Sequence, residues 1–384
     1  MRLLYIAPRY HTNQIPIMKE LAEHGHEICF ISHYTGKIED YSYVTPIIAG
    51  YSGIFLAFER FYTKVLKKND SMASNMKLKY GFPPVGKIAK LVREFAPDVV
   101  IIRERSVYSI FAYMSIRKYQ CSKILYNQSP YWEKEIKNDL PHRVVRSLLP
   151  KVRMTPVMGV RKEGYVHEEG AVYVPFVMEP KLSFEEKTWF EEGEIHLFCV
   201  GKYEKRKNIA MLLEVLKELG NGYPIKLTVA GECSNRFQIE YKQGLEKYVR
   251  ENGLEQKVSL LTNLSRGQME EEYRKSDLFV IPSTKEPASV SQLEAMAFSL
   301  PVICSDGNGT ACYVKNGKTG YLFRDNEKEA LYRALKSMLD DKEQMKEMGK
   351  KGYREIVDSC NFNLYYEGIC KCMGLASDKE GMEI

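Results

Sequence analysis

Short apolar runs alternate along this chain with longer segments in which apolar residues recur every three or four positions. In the first half the runs are Leu3–Ala7, His26–Ser32, Asp98–Ile102, Lys123–Tyr126 and Thr155–Val157, with a helical pattern over Ile17–His24. The second half continues with Leu197–Val200, Lys226–Ala230, Val258–Leu261, Leu278–Ile281 and Val302–Ser305. Helical patterns cover Ile209–Leu219, Tyr241–Glu251, Met269–Lys275 and Ser291–Phe298. Brief β-rich runs separated by helices predict parallel sheets covered on both faces. The expected class is α/β, with Rossmann-like domains over residues 1–175 and 176–350. The boundary is expected near Val172-Tyr173-Val174-Pro175, with the charged stretch Glu185–Glu194 read as loop or linker. Residues 351–384 hold a last helical stretch and a frayed tail from Ala376, where small and charged residues have little to bury.

The length of 384 residues favours two domains, and 44% hydrophobic residues suffice for two cores. Nine cysteines without a dense framework read as reduced thiols, and the lone Cys370/Cys372 pair does not close a metal site. The apolar run at Met1–Pro8 is short for a signal peptide, and no stretch reaches the roughly 18 apolar residues of a spanning helix. A cytosolic protein is expected, with peripheral attachment to the inner membrane face as an option. Charge is divided unevenly. The first 175 residues carry ten more basic than acidic side chains, and the rest four more acidic, within a net +6. A basic first half points to an anionic partner.

Chemistry concentrates after two strand-like runs of the second half. Gly201 follows a strand and precedes Lys202, Lys205, Arg206 and Lys207. Glycine permits a tight strand exit, and the cations reach an anion at a helix N-terminus. A lysine 4 Å from a phosphate contributes roughly 4 kcal/mol at an effective dielectric of 20. Further on, Glu286 and Glu294 bracket Pro287-Ala288-Ser289-Val290-Ser291-Gln292-Leu293. Ser289 to Gln292 reads as an S-x-x-Q capping box opening a helix, with Leu293, Ala297 and Leu300 facing the core. The N–H groups of Val290 and Ser291 then form an anion site.

These motifs resemble the E-x7-E signature of retaining glycosyltransferases of family 4 (glycosyl transferases group 1). The resemblance covers roughly residues 195–350, and Ala230-Gly231-Glu232 and Asn316–Phe323 agree with it. It implies the GT-B fold, two facing Rossmann-like domains with an interdomain cleft and a last helix able to cross back to the first domain. It assigns the pyrophosphate to Lys202 and Lys207, the transferred sugar to Glu286 and the ribose to Glu294. Gly201, Gly231, Asn263, Leu264, Ser289 and Val290 complete the implied donor site. Glu286, Lys207 and Lys202 are the implied catalytic residues. The segment Glu271…Tyr273…Ser276-Asp277 corresponds to the base pocket of relatives. Lys205 and Arg206 read as solvated loop. No cofactor or metal is implied, because cations and a helix dipole neutralise the leaving diphosphate.

On the acceptor side, Asn13 and Gln14 stand where relatives have a Gly-Gly turn, and Asn127 or Gln128 where they often carry a histidine. An amide hydrogen-bonds a hydroxyl but is no general base near neutral pH. The resemblance assigns the acceptor proton to a leaving-group phosphate oxygen instead. Basic and aromatic residues mingle over 60–93 (Arg60, Lys64, Lys67, Lys68, Lys77, Lys79, Lys87, Lys90 and Arg93 against Asp70), and basic residues recur over His142–Lys162. That mixture suits an anionic membrane surface or a phosphorylated acceptor. Nucleic acid is disfavoured, since no nucleic-acid motif accompanies the charge. The expectation is a retaining glycosyltransferase moving a sugar from a nucleotide-diphosphate donor, UDP-linked by preference, to a glycan or lipid-linked acceptor in cell-surface polysaccharide or glycoconjugate synthesis. Alternatives are a non-catalytic GT-B subunit binding a nucleotide sugar or partner protein, and an epimerase on the same scaffold.

Overall fold

The computed structural model describes residues 1–35, 40–66, 76, 77 and 79–380. Lys67, Lys68 and Asp70 of the first basic run, and positions 381–384 of the expected tail, lie outside the described residues. The chain forms two compact units, Met1–Val177 with Phe362–Ile384, and Met178–Asn361.

The first unit is built on seven parallel strands: β1 (Arg2–Ala7), β2 (Glu27–Ser32), β3 (Ile47–Ile48), β4 (Val99–Arg103), β5 (Ser122–Tyr126), β6 (Val152–Thr155) and β7 (Ala171–Tyr173), ordered β3-β2-β1-β4-β5-β6-β7. Leu3, Tyr5, Ile101 and Met154 pack on one face of the sheet, while Leu4, Ile6, Val100 and Ile102 form a separate core on the other. Burial on both faces is why these strands read as continuous apolar runs. The sixth strand ends at Thr155, so the expected strand over Thr155–Val157 lies a few residues too late.

The last helix (Phe362–Glu380) packs on the first sheet through Phe362, Tyr365, Ile369, Cys372 and Ala376. These positions recur at helical spacing and make one stripe. That stripe carries the helix past Ala376, where fraying was expected. Cys372 is buried and Cys370 exposed, so the helix turns the CxC thiols apart. The preceding helix (Lys342–Ser359) belongs to the second unit.

The second unit has six parallel strands: β8 (Ile195–Val200), β9 (Ile225–Gly231), β10 (Val258–Thr262), β11 (Leu278–Ile281), β12 (Val302–Ser305) and β13 (Gly320–Phe323), ordered β10-β9-β8-β11-β12-β13. Both sheets start at their middle, run outward for two strands, then return to build the other half. Connections leave on opposite faces at β1/β4 and β8/β11, which opens a crevice at the carboxyl ends there.

The segment Glu185–Glu194 is not a free linker. Lys187 is buried and donates to the Ser276 carbonyl at 2.5 Å and the Arg274 carbonyl at 3.1 Å. Burial pushes its pKa down to about 8, against the opposing pull of Asp277. The Asp277 carboxylate accepts from the Phe190 and His196 amides at 2.9 and 2.8 Å. Charge in this stretch thus pins it to the unit.

Ile369 is fully buried. Ile369→Ala should lower stability by about 2–5 kcal/mol in denaturant titration. A loss under about 1 kcal/mol would show that the last helix contributes little to the first core.

Candidate active site

The carboxyl ends of β8, β9 and β11 converge on one small region of the second unit. The chain leaves β8 through Gly201, whose amide donates to the Ala230 carbonyl at 3.0 Å. A Cβ on Gly231 would stand 2.1 Å from the Gly201 carbonyl oxygen, and one on Gly201 would stand 2.9 Å from Lys207 Cδ. The two glycines therefore let the strand ends close and the Lys207 stem lie across them.

A single 3-10 turn (Lys205–Lys207) brings Lys207 back over Gly201, and the Thr284 amide donates to the Arg206 carbonyl at 2.8 Å. This bond ties the turn to the loop after β11. There Lys207 Nζ donates to Glu286 Oε2 at 2.6 Å, with side chains 11% and 9% exposed. Arg206 donates to the same oxygen. Arg206 is exposed, as expected of a loop, yet it is not free in solvent: the turn closes toward Glu286 and delivers consecutive cations to one carboxylate. Lys205 is exposed, as expected.

The helix that follows (Val290–Ala297) starts at Ser289, and here too the structure departs from expectation. Ser289 does not cap the helix through its side chain. Its hydroxyl pairs with that of Ser291 at 2.8 Å, and its amide donates to Thr310 Oγ1 at 3.2 Å. Gln292 cannot complete a capping box because it is fully buried as a polar node. Its Oε1 accepts from Thr310 Oγ1 at 3.0 Å and its Nε2 donates to the Thr310 carbonyl at 2.8 Å. Uncapped first-turn amides with the positive helix end behind them suit an anion. Leu293, Ala297 and Leu300 are fully buried, so the helix face was read correctly.

Glu294 is half-buried, and its carboxylate accepts from the Tyr273 hydroxyl at 2.8 Å. Burial raises the Glu294 pKa above the usual carboxylate range, more than the tyrosine hydrogen bond lowers it. Tyr273 is itself held between Phe198, Phe279 and Phe298. Ser276 and Asp277 precede β11, at the opposite end of the strand from Glu286. They anchor structure and do not join this group.

The remaining expected residues divide. Lys202 pairs with Glu232 at 2.9 Å, both side chains 46% exposed. Asn263 is exposed, with φ +52°, and its amide brackets Cys233, accepting from the Cys233 amide at 3.0 Å and donating to its carbonyl at 3.1 Å. Leu264 is half-buried beside it in sequence. In the first unit, Gln14 Oε1 accepts from the His11 amide at 3.0 Å, and Asn13 is half-buried. Asn127 Oδ1 accepts from Arg153 at 3.0 Å and from the Ser129 amide at 3.2 Å, while Gln128 hydrogen-bonds Tyr126. Gln14 and Asn127 therefore brace their own loops. Sequence reasoning missed Arg206, Glu232 and Thr310 as neighbours of the site. The Gly307-Asn308-Gly309-Thr310 turn after β12 was the available signal for Thr310.

Two α/β units, each carrying a parallel doubly wound sheet, define the GT-B architecture of glycosyltransferases. Residues 181–355 match the family model for glycosyl transferases group 1, and the second unit carries a domain of that group. A D-inositol 3-phosphate glycosyltransferase from Rhodococcus erythropolis is 30% identical over 152 residues, 39% of this chain and 34% of that protein. The capsular polysaccharide biosynthesis glycosyltransferase CapM from Staphylococcus aureus is 22% identical over 235 residues, 61% of this chain and 59% of that protein. The chain spans about a third of the length of the first curated relatives it matches. Among solved structures, Anabaena Alr3699/HepE in complex with UDP matches the fold with a TM-score of 0.67 at 12% identity, covering 97% of this chain and 100% of that one.

Glu286→Gln would leave Lys207 buried beside Arg206 without a counter-charge. Stability should fall by about 3 kcal/mol, and inorganic pyrophosphate should raise the melting temperature of the variant more than that of the parent. Equal stability of both proteins would mean that the pair is solvated.

Proposed function

We propose that this chain is a retaining glycosyltransferase that moves a sugar from a UDP-linked donor to a glycan or lipid-linked acceptor in polysaccharide or glycoconjugate synthesis. The observation that carries this reading is the buried Lys207–Glu286 pair, with Arg206 on the same oxygen, beside an uncapped helix start. The group 1 match over this unit, and relatives whose names place them in capsule synthesis or with UDP, support it.

In this reading the donor diphosphate lies between Lys207 and the amides of Val290 and Ser291, with Lys202 at the exposed edge. Glu286 orients the transferred sugar, and Glu294 accepts the ribose hydroxyls. Gly201 and Gly231 clear the space, while Asn263, Leu264 and Ser289 border the nucleotide. The acceptor hydroxyl attacks the anomeric carbon on the face from which the phosphate leaves. The bond from that carbon to the phosphate oxygen breaks as the new glycosidic bond forms, and a phosphate oxygen takes the proton. The cations and helix terminus stabilise the charge that grows on the leaving group, so the reading requires no metal. The first unit holds the acceptor.

Membrane attachment belongs to the same proposal. Among the described residues no helix is long and apolar enough to cross a membrane. The helix Gly53–Leu66 exposes Ile54, Phe58 and Phe61 at 78%, 58% and 65%, with Arg60 and Lys64 also exposed. Such a mixed face suits an anionic lipid surface.

Three measurements test these assignments. Lys207→Ala should weaken UDP affinity by roughly 10- to 100-fold in calorimetry, the loss of one charge-assisted hydrogen bond. Glu286→Ala should reduce turnover of UDP-sugars more than UDP affinity, and unchanged kinetics in both variants would overturn the reading. Tight UDP binding with no turnover on any acceptor would favour the non-catalytic subunit.

UDP affinity should decline as pH falls through the raised pKa of Glu294, because protonation removes the charge and turns one of its two acceptor oxygens into a donor. Glu294→Gln should flatten that limb of the profile, and an unaltered profile would remove Glu294 from the ribose site. Liposome sedimentation should show binding that needs anionic lipid and weakens with salt. Absent or salt-insensitive binding would remove the membrane reading.

A further inference from the structure

Arg103 ends β4 at the first unit's own crevice, the point beside β1 where the connections diverge. It pairs in register with Tyr126, and its guanidinium carbon lies 5.4 Å from the centre of that ring. The side chain is 10% exposed, and both Nε and Nη1 are buried with no hydrogen-bond partner among the described residues. The Glu104 carboxylate stands 3.7 Å from Nε, beyond hydrogen-bond range, and is half exposed.

The unit's other deeply buried arginine shows what a structural guanidinium looks like here. Arg153 donates from Nη1 to Asn127 Oδ1 and the Ser129 carbonyl at 3.0 Å each and pairs ionically with Glu168 at 2.8 Å, although its Nε, like that of Arg103, makes no hydrogen bond. Arg103 has no such set of acceptors. Glu104 supplies a counter-charge at 3.7 Å but leaves two buried guanidinium N–H groups without an acceptor, and an oxyanion is the group that would satisfy both.

The surroundings agree. Arg103 lines a pocket with Asn13, Gln14, Tyr5, Tyr126 and Phe176. His11, close by, has its pKa pushed down to about 3 by burial, then by Arg103 and Arg9, so it adds no charge near neutral pH. The positive potential belongs to the guanidinium groups, which offer a planar fork matched to oxyanions.

We propose that this pocket receives an oxyanion group of the glycosyl acceptor, a phosphate or a carboxylate, with Arg103 as its charge partner and Asn13 as a neutral hydrogen-bond donor. The proposal rests on the glycosyltransferase reading and narrows it: the acceptor is an anionic glycan or a phosphorylated carrier, not a neutral sugar. Arg103 is thereby a specificity-determining residue, reached from the loop after β1 and the end of β4.

The test uses the full chain with the donor site saturated by UDP, titrated separately with inorganic phosphate and with glucuronate. At least one should bind. Arg103→Met should weaken that binding at least tenfold while UDP affinity changes less than twofold, and Arg103→Lys should retain part of it. The preferred anion then identifies the acceptor group. The proposal is overturned if neither anion binds the parent, or if Arg103→Met binds as the parent does. Should Arg103→Met melt early, the folded Arg103→Lys and Asn13→Ala variants carry the comparison, and undiminished binding in both overturns it. If UDP fails to bind while phosphate binding still depends on Arg103, the donor reading fails and the oxyanion pocket stands.

Discussion

A lysine ammonium buried against a carboxylate is the constraint around which the second unit's site is arranged. Lys207 reaches Glu286 only because its stem crosses Gly201, and Gly201 sits there only because Gly231 leaves room for its carbonyl. The bond from Thr284 to Arg206 holds the two loops in register. Burial strengthens the ion pair and also makes each partner dependent on the other. The cations are thus fixed in place by the fold itself, which is the condition for electrostatic preorganisation toward an anion.

The two units use the same winding for different chemistry. Both sheets run outward from a central strand and return, leaving a crevice at the carboxyl ends. In the second unit that crevice combines glycines, paired cations and a helix start. The first unit places an arginine there with donors unmet, set among tyrosines. One crevice is built around a buried, hydrogen-bonded ion pair, the other around a guanidinium whose Nε and Nη1 make no hydrogen bond.

Several departures share one cause. Ser289 and Gln292 have the spacing of a capping box, yet the loop after β12 supplies Thr310 and draws both away from it. Glu185–Glu194 has the composition of a linker, yet Lys187 and the Phe190 amide find partners around Ser276 and Asp277, almost ninety residues along the chain. Arg206 has the sequence context of a solvated loop, yet Glu286 stands next to it. In each case the local pattern was real and a distant residue offered a stronger bond.

The alternation of β-rich runs with helical periodicity by itself determined the α/β class, the two sheets and most of their strands, since burial on both faces imprints directly on composition. The resemblance to glycosyl transferases group 1, carried by short local motifs, is what grouped Gly201, Lys207, Glu286 and Glu294 as one expected set. Tertiary structure alone decided the pairings: which cation met which carboxylate, which amides became braces, and which arginine kept buried donors without hydrogen bonds. The reason is physical. Hydrophobic periodicity is a property of neighbouring residues, whereas a hydrogen bond or ion pair depends on atoms brought within about 3 Å by strands far apart in the chain.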